Sequence, residues 1–440
     1  MSERTRDDQL RQTRRSATAG LLGTALEFLD FTMYGIVASV VLGRVFFPGG
    51  DPFAAEMGAM ATFGVAYIAR PIGAIVLGHL GDRVGRKRLL LFTIVLMGTS
   101  TFLIGCLPSY ASIGPLAPVA LVVLRLAQGF SAAGEQAGSS TLTAEHAPAR
   151  TRGFYTSFTN AGTILGNFLG HAAFIPVLAM PEADLLAWGW RLPFLGSAAG
   201  MVIVVFLRAG LRDADVFVAV KAAERDPAPL RELFQDNWKN LIRVALCGLM
   251  AAPPAISAVF GLSYGTRVVG LDAALLVALT TISLGVGTVT IPFWAILADR
   301  IGRRPVFIVG VLMGGAVLFL KFHFISEKNL PLLVLSQCVL VFFFMAGYAT
   351  QLSIYTEMFP TKVRFSGVAI GTQLGLVLAG FTPALSYAVL QPGPIGWLPV
   401  AILGAVCCLV ASAAAFSARE TRGMSLERLD GEVREAKSLP

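Results

Sequence analysis

The amino-acid sequence predicts an all-α membrane protein: twelve transmembrane helices in two six-helix bundles related by pseudo-symmetry. Three observations carry this. Of the 440 residues, 55% are hydrophobic and only 14% charged, with a mean hydropathy of +0.70. No Asp, Glu, Lys or Arg occurs in 89–124, 153–181, 244–266, 273–298, 329–356 or 365–418. A helix needs about 20 apolar residues to cross the hydrocarbon core, so several of these stretches hold one span and two hold a hairpin. So many long runs in one chain argue against a soluble protein with buried core helices. The third observation is that two polar motifs recur, in the same order, in the two halves of the chain.

Breaking the runs at Gly/Pro and charge clusters places the spans at 17–47, 58–77, 89–107, 115–143, 155–180, 190–211, 241–263, 272–297, 305–325, 331–356, 365–391 and 395–418. The first follows five arginines and an acidic pair with no small-residue cleavage site after it, which reads as a retained helix and not as a signal peptide. The expected organisation is an N-terminal tail (1–16), a first bundle (17–211), a linker (212–240), a second bundle (241–418) and a C-terminal tail (419–440).

Twelve spans put both termini on one side of the membrane. Of 35 Lys+Arg, 28 fall in the tails and even-numbered loops, with Arg208 counted in the linker stretch 208–243; Arg70 and Arg125 lie within spans, and Arg44, Arg191, Arg267, Lys321 and Lys328 remain for the opposite side. By the positive-inside rule both tails and the linker are cytoplasmic, as expected for a multi-pass protein of the bacterial inner membrane. The net charge of +8 then reflects topology, and no nucleic-acid partner is needed to explain it.

Little else points to enzyme chemistry. All five cysteines (106, 247, 338, 407, 408) lie within apolar spans, without metal-ligand spacing or a disulfide pattern. No Ser-His-Asp set, P-loop or GxGxxG is placed for chemistry, which argues against an enzyme and against ATP-driven transport, and no metal or cofactor is expected.

The internal repeat is read from two pairs of segments. "GHLGDRVGRKRLL" (78–90) matches "AILADRIGRRPVF" (295–307), with Asp82 and Asp299 217 residues apart. "EHAPARTRG" (145–153) matches "EMFPTKVRFSG" (357–367), with Glu145/Glu357, Pro148/Pro360 and Arg152/Arg364 each 212 apart. Two pairs in the same order argue for duplication of a six-span unit.

With these motifs the chain resembles a major facilitator superfamily transporter, and more narrowly the metabolite:proton symporter family of citrate, 2-oxoglutarate, shikimate and proline/betaine carriers. The resemblance runs over nearly the whole chain. It rests on "EFLDFTMYG" in the first span, "ARPIGAIVLGHLGDRVGRK" (69–87), "RLAQGFSAAGE" (125–135), "WGWRLPF" (188–194) and "TEMFPTKVRFSG" (356–367). The family usually has Glu-Trp-Tyr-Asp or similar in the first span; here Phe28 and Leu29 stand between the two acids. The resemblance implies the major facilitator fold, with a cytoplasmic gate built on the repeated motifs. Asp82, Arg83, Arg86, Glu145 and Arg152 would form one side, and Asp299, Arg300, Arg303, Glu357 and Arg364 the other. Gly78, Gly81 and Gly85 are expected to make the tight turn of the first motif. A gate of this kind need contribute only a few kcal/mol, because alternating access requires two states of similar free energy.

Charges inside the spans are the candidates for transport chemistry. Each ionised acid near a helix centre costs roughly 2.5–3.5 kcal/mol on the insertion scale. Glu27 and Asp30, three apart in the first span, share a helix face. Arg70 and Arg125 lie about ten to twelve residues into their spans, roughly 15 Å from the entry. Glu135 lies ten residues beyond Arg125. A carboxylate that alternates between a dry setting and one beside arginine or water changes its proton affinity with conformation. Asp30 is thus favoured as the proton-coupling group, with Glu27 and Glu135 as the others. An arginine offers a planar fork to a substrate carboxylate, so Arg125 and then Arg70 are the expected anion-binding groups. An Asp30–Arg70 pair that only orients helices is the plainer reading of Arg70. Gln128, Tyr34, the pair Asn167 and His171, and the pair Gln351 and Tyr355 are further candidates to bind substrate, though such groups commonly serve as interhelical contacts. The glycine-rich runs 162–170 and 367–380 read as packing surfaces.

The expected activity is proton-coupled symport of a small organic acid by a monomeric rocking-bundle carrier, with the proton as coupling ion. The alternative is proton- or sodium-coupled uptake of a zwitterionic osmolyte such as proline or betaine. Osmosensing members commonly carry a long heptad-rich tail, and the residues after Arg419 are too few for a coiled coil. A transport-dead sensor on the same fold is disfavoured by the intact motifs in both halves.

Overall fold

The computed structural model describes residues 3–47, 52–211, 229–426 and 428. Positions 212–228 of the expected linker and 429–440 of the expected C-terminal tail lie outside the described residues. Among the described residues there is no β-strand. Twelve helices among these residues are long and apolar enough to cross a membrane: Leu10–Val37, Gly64–Val84, Arg86–Cys106, Leu116–His146, Arg152–Leu178, Glu182–Ala209, Trp238–Thr266, Ala278–Ile301, Arg303–Ser326, Leu330–Glu357, Arg364–Val389 and Leu398–Ser417. They are called the first to twelfth spans below.

The helices overrun the apolar stretches that announce them. The first begins at Glu3, within the polar tail, and the second runs unbroken from Pro52 to Val84. Gly78 and Gly81, expected in a turn, are therefore helical, and Asp82 and Arg83 sit on the helix's last turn. The turn shrinks to Gly85, at φ 118° and ψ 145°. Its repeat, Gly302, adopts φ 114° and ψ 146° between Ile301 and Arg303. A side chain is strained at such a φ, so both corners call for glycine. The two glycines stand 217 residues apart, the offset of the first motif pair.

By contacts the chain forms two compact units: residues 1–146 with 158–229, and residues 147–157 with 230–440. In the first, the second span packs on the fourth, the third on the fourth and sixth, and the first on the fourth and sixth. In the second, the eighth packs on the tenth, the ninth on the tenth and twelfth, and the seventh on the eleventh and twelfth. The neighbour pattern largely repeats, as duplication requires.

The glycine runs are packing surfaces. A Cβ on Gly162 or Gly166 would lie 2.3 Å from the carbonyl oxygens of Leu21 or Ala25, so the fifth span rests backbone-to-backbone on the first. In the second unit a Cβ on Gly375 would lie 2.9 Å from Gly248 Cα, and one on Gly371 2.6 Å from Val244. The eleventh span meets the seventh in the same way. The seventh span is irregular, passing through a 3₁₀ turn at Gly248–Ala251 and π turns at Ile256–Phe260 and Tyr264–Val268. Pro253 and Pro254 can donate no N–H, which removes ladder bonds there.

Candidate functional site

Two of the buried polar networks in the first unit hold Asp30 and Glu135. One links four spans around Arg125, which is fully buried. Its Nη1 donates to Gln128 Oε1 at 2.8 Å and its Nε to the Thr62 carbonyl at 3.4 Å. Gln128 Nε2 donates to Thr101 Oγ1 at 2.6 Å, and Thr101 donates to Asp30 Oδ2 at 2.5 Å. The guanidinium lies 3.8 Å from the centroid of the Tyr34 ring, a cation–π contact, and the Tyr34 hydroxyl shares a hydrogen bond with Thr62 Oγ1 at 2.5 Å. Asp30 is thus wired to Arg125 through an uncharged relay. Its other oxygen, Oδ1, is buried without a hydrogen-bond partner among the described residues. Glu27 Oε2 is in the same position, and a buried carboxylate oxygen without a partner is costly.

The plainer reading of Arg70 changes partner. Arg70 Nη2 pairs with Glu27 Oε1 at 3.1 Å, not with Asp30. Its guanidinium also lies 4.4 Å from the Phe31 ring and 4.9 Å from the Tyr67 ring.

Glu135 belongs to the second network. Both its oxygens accept from Arg208, with Nη1 to Oε2 at 2.8 Å and Nη2 to Oε1. Ser139 donates to Glu135 at 3.1 Å, and Arg208 also donates to the Leu90 carbonyl at 2.7 Å. Composition counts Arg208 with the linker; the structure buries it at the end of the sixth span, 1% exposed. The signal was present, since residue 208 falls inside the apolar run 190–211.

The other sequence candidates separate. Asn167 Oδ1 accepts from Thr32 at 2.9 Å, joining the fifth span to the first, while His171 is exposed and contacts the Asn167 carbonyl. Tyr355 is buried with its hydroxyl unpartnered among the described residues, and Gln351 is half-buried.

The repeated motifs form matching clusters. Arg86 Nη2 bridges Asp82 Oδ1 and Glu145 Oε1, both at 3.2 Å. Arg303 bridges Asp299 Oδ1 and Glu357 Oε2, both at 3.1 Å. The second cluster also holds Arg152, whose Nη1 donates to Glu357 Oε1 at 2.7 Å, while Asp299 accepts from the Gly153 and Phe154 amides at 2.9 and 2.8 Å. A carboxylate at the N-terminus of the fifth span is well placed against its helix dipole. Thr421 donates to Glu357 as well, and the Met424 carbonyl accepts from Arg152 at 3.1 Å. Arg83 and Arg300 are exposed, and Arg364 donates to the Thr356 and Phe359 carbonyls.

Lys321, read from the sequence as an outer-side charge, is 6% exposed. Its Nζ donates to the Ser257 carbonyl at 3.2 Å, to Gln337 Oε1 at 2.6 Å and to Ser257 Oγ. The Ser257 hydroxyl donates to Gln337 Oε1 at 3.2 Å, and Gln337 Nε2 to Ser283 Oγ at 3.1 Å. Three N–H groups meet three neutral acceptors across the seventh, ninth and tenth spans, with no carboxylate in the set. Gln337 stands 212 residues after Arg125, so the two occupy equivalent places in the repeat.

The sequence matches the family described as Major Facilitator Superfamily over residues 20–288 and that described as Sugar (and other) transporter over 219–432. It is 34% identical to the shikimate transporter of Escherichia coli over 94% of this chain and 96% of that protein. It is 32% identical to the proline/betaine transporter of Salmonella typhimurium over 97% of this chain and 88% of that one. Among solved structures, the proton:xylose symporter XylE superposes with a TM-score of 0.76 at 17% identity, covering 96% of this chain and 99% of that one. That similarity speaks for the fold. Sequence, fold and buried charge together place this chain in the Major Facilitator Superfamily, in its metabolite:proton symporter family, as a multi-pass membrane transporter of small metabolites and not an enzyme.

Proposed function

We propose that the chain is a proton-coupled symporter of a small organic acid, functional as a monomer, with the proton as its only coupling ion and both termini cytoplasmic. One observation supports this above the others. Of the three acids expected to serve coupling, Glu27 and Glu135 are each held by an arginine, while Asp30 makes no ion pair among the described residues and is joined to Arg125 by hydrogen bonds through Thr101 and Gln128. A proton gained or lost at Asp30 reorders that relay, and the relay sets which N–H groups Arg125 turns toward a carboxylate. Protonation and anion binding are thereby linked through four side chains. Arg86 and Arg303, each paired with two acids within its own unit, are the arginines to which this reading gives the gate role that the repeated motifs imply.

Uptake of labelled shikimate and of a panel of mono-, di- and tricarboxylates into proteoliposomes, with and without an inward proton gradient, tests the proposal. Gradient-dependent accumulation of an acid is expected. Gradient-independent uptake refutes symport, and uptake confined to proline or glycine betaine refutes the acid. The osmolyte reading draws on relatives bearing that name and on Phe31, Tyr34 and Tyr67, ring types that hold quaternary ammonium groups. Here arginine guanidinium groups lie over all three rings, which favours the acid.

A further inference from the structure

The second unit contains a cavity of about 160 Å³, lined among others by Asn240, Arg243, Glu357, Met358, Arg419 and Thr421. It lies where the seventh span begins, the tenth ends and the chain leaves the twelfth, far along these helices from Lys321. One water needs only about 10–15 Å³ by the same measure, so a phosphodiester group fits.

The charges around it are unequal. Glu357 is engaged by Arg152, Arg303 and the Thr421 hydroxyl. The Glu420 carboxylate accepts from the backbone amides of Arg303, Arg304, Thr421 and Arg422. Neither acid pairs with Arg243. That arginine donates from Nε to Ser417 Oγ at 3.0 Å and from Nη1 to Asn240 Oδ1 at 2.7 Å, which leaves Nη2 uncommitted among the described residues. Arg304 lies 4.3 Å over the Phe416 ring, so Arg243, Arg304 and Arg419 gather at the end of the twelfth span.

Next to these arginines the surface is apolar and exposed. Phe416 is 68% exposed, Trp238 and Ile242 48% each, and Lys239 stands over the Trp238 ring at 5.8 Å. Arg243 is the sixth residue of its helix, about 8 Å from the helix start, the depth of a headgroup layer. Basic side chains above exposed Trp and Phe match a ligand with an anionic head and apolar tails.

We propose that this cavity binds the phosphate of an anionic phospholipid, with Arg243 and Arg419 on the phosphate and Ile242, Trp238 and Phe416 along the acyl chains. Bound there, the lipid joins the seventh, tenth and twelfth spans at their shared end, and it stabilises the protein whatever the transported substrate is.

The test uses the full-length protein in neutral detergent and follows thermal unfolding with added phosphatidylglycerol, phosphatidylcholine or inorganic phosphate. Phosphatidylglycerol alone is expected to raise the unfolding temperature. Arg243→Gln with Arg419→Gln should weaken its apparent affinity about thirtyfold, about fivefold per arginine. Arg231→Gln, an exposed arginine of the same unit that does not line the cavity, should leave the affinity unchanged. Equal responses to the two lipids overturn the proposal without recourse to any variant. So does an undiminished phosphatidylglycerol response in the double variant or in both single variants. Stabilisation by phosphate as strong as by phosphatidylglycerol would reassign the cavity to a free anion and overturn the lipid.

Discussion

Replacing Glu135 by glutamine tests whether this acid holds the first unit together or carries protons. In the structure Arg208 grips both Glu135 oxygens and also donates to the Leu90 carbonyl, with Arg208 1% and Glu135 2% exposed. Removing one partner of such a pair leaves a buried uncompensated charge and costs about 3–5 kcal/mol. For a unit of some 200 residues, at about 2–4 °C per kcal/mol, the unfolding temperature should fall by roughly 6–20 °C. Arg208→Gln should cost a similar amount. The double variant Glu135→Leu with Arg208→Met removes both charges in apolar side chains of comparable size, and should recover most of the loss. Thermal unfolding of the four proteins in detergent makes the comparison, and gradient-driven uptake is then measured on the double variant. The reasoning fails if Glu135→Gln unfolds within about 2 °C of the parent. It fails equally if the double variant is well folded yet no longer accumulates substrate against a gradient, because Glu135 would then be a coupling group.

Asp30→Asn should abolish gradient-driven accumulation while sparing substrate exchange; normal accumulation would pass the coupling role to Glu27. Lys321→Met removes a buried ammonium that has no carboxylate partner among the described residues, so the unfolding temperature should hold or rise while uptake falls about tenfold or more, the signature of a group kept for function. A large drop in unfolding temperature would make Lys321 structural. Gly85→Ala and Gly302→Ala should each destabilise by about 1–3 kcal/mol, since both corners hold a positive φ; a neutral effect in unfolding measurements at either corner contradicts the turn geometry described.

Much of the fold was legible because a membrane forces it into the sequence. Charge-free runs, basic loops and a twice-repeated motif are consequences of insertion and duplication, and they are read without knowing any contact. The offsets of 217 and 212 residues even locate the paired bridges of Arg86 and Arg303. What stayed hidden were choices between nearby partners. Asp30 and Glu27 share a face, and only packing decides that Glu27 takes Arg70. Arg208 and Lys321 lie close to span ends, where hydropathy treats a cation as solvated; both turn inward because carboxylate or neutral acceptors wait there. The relay through Thr101 was illegible for another reason. A threonine in an apolar run carries no compositional signal, and its importance comes wholly from standing between Asp30 and Gln128.

The second cluster has a consequence for biosynthesis. Arg152 completes its contacts with the Met424 carbonyl, 272 residues further along, and residues 147–157 pack with the second unit, not with the unit whose spans surround them in sequence. At about 5–20 residues per second, synthesis of that interval takes roughly 14–54 s. Over this time Arg152 and the amides of Gly153 and Phe154 gain their partners one by one, Asp299 146 residues on, then Glu357, and Met424 last. The start of the fifth span must therefore wait, polar and uncapped, until the later spans are inserted. Assembly of this carrier is ordered by the ribosome, and chains arrested before the eighth span, which carries Asp299, should expose this segment to protease.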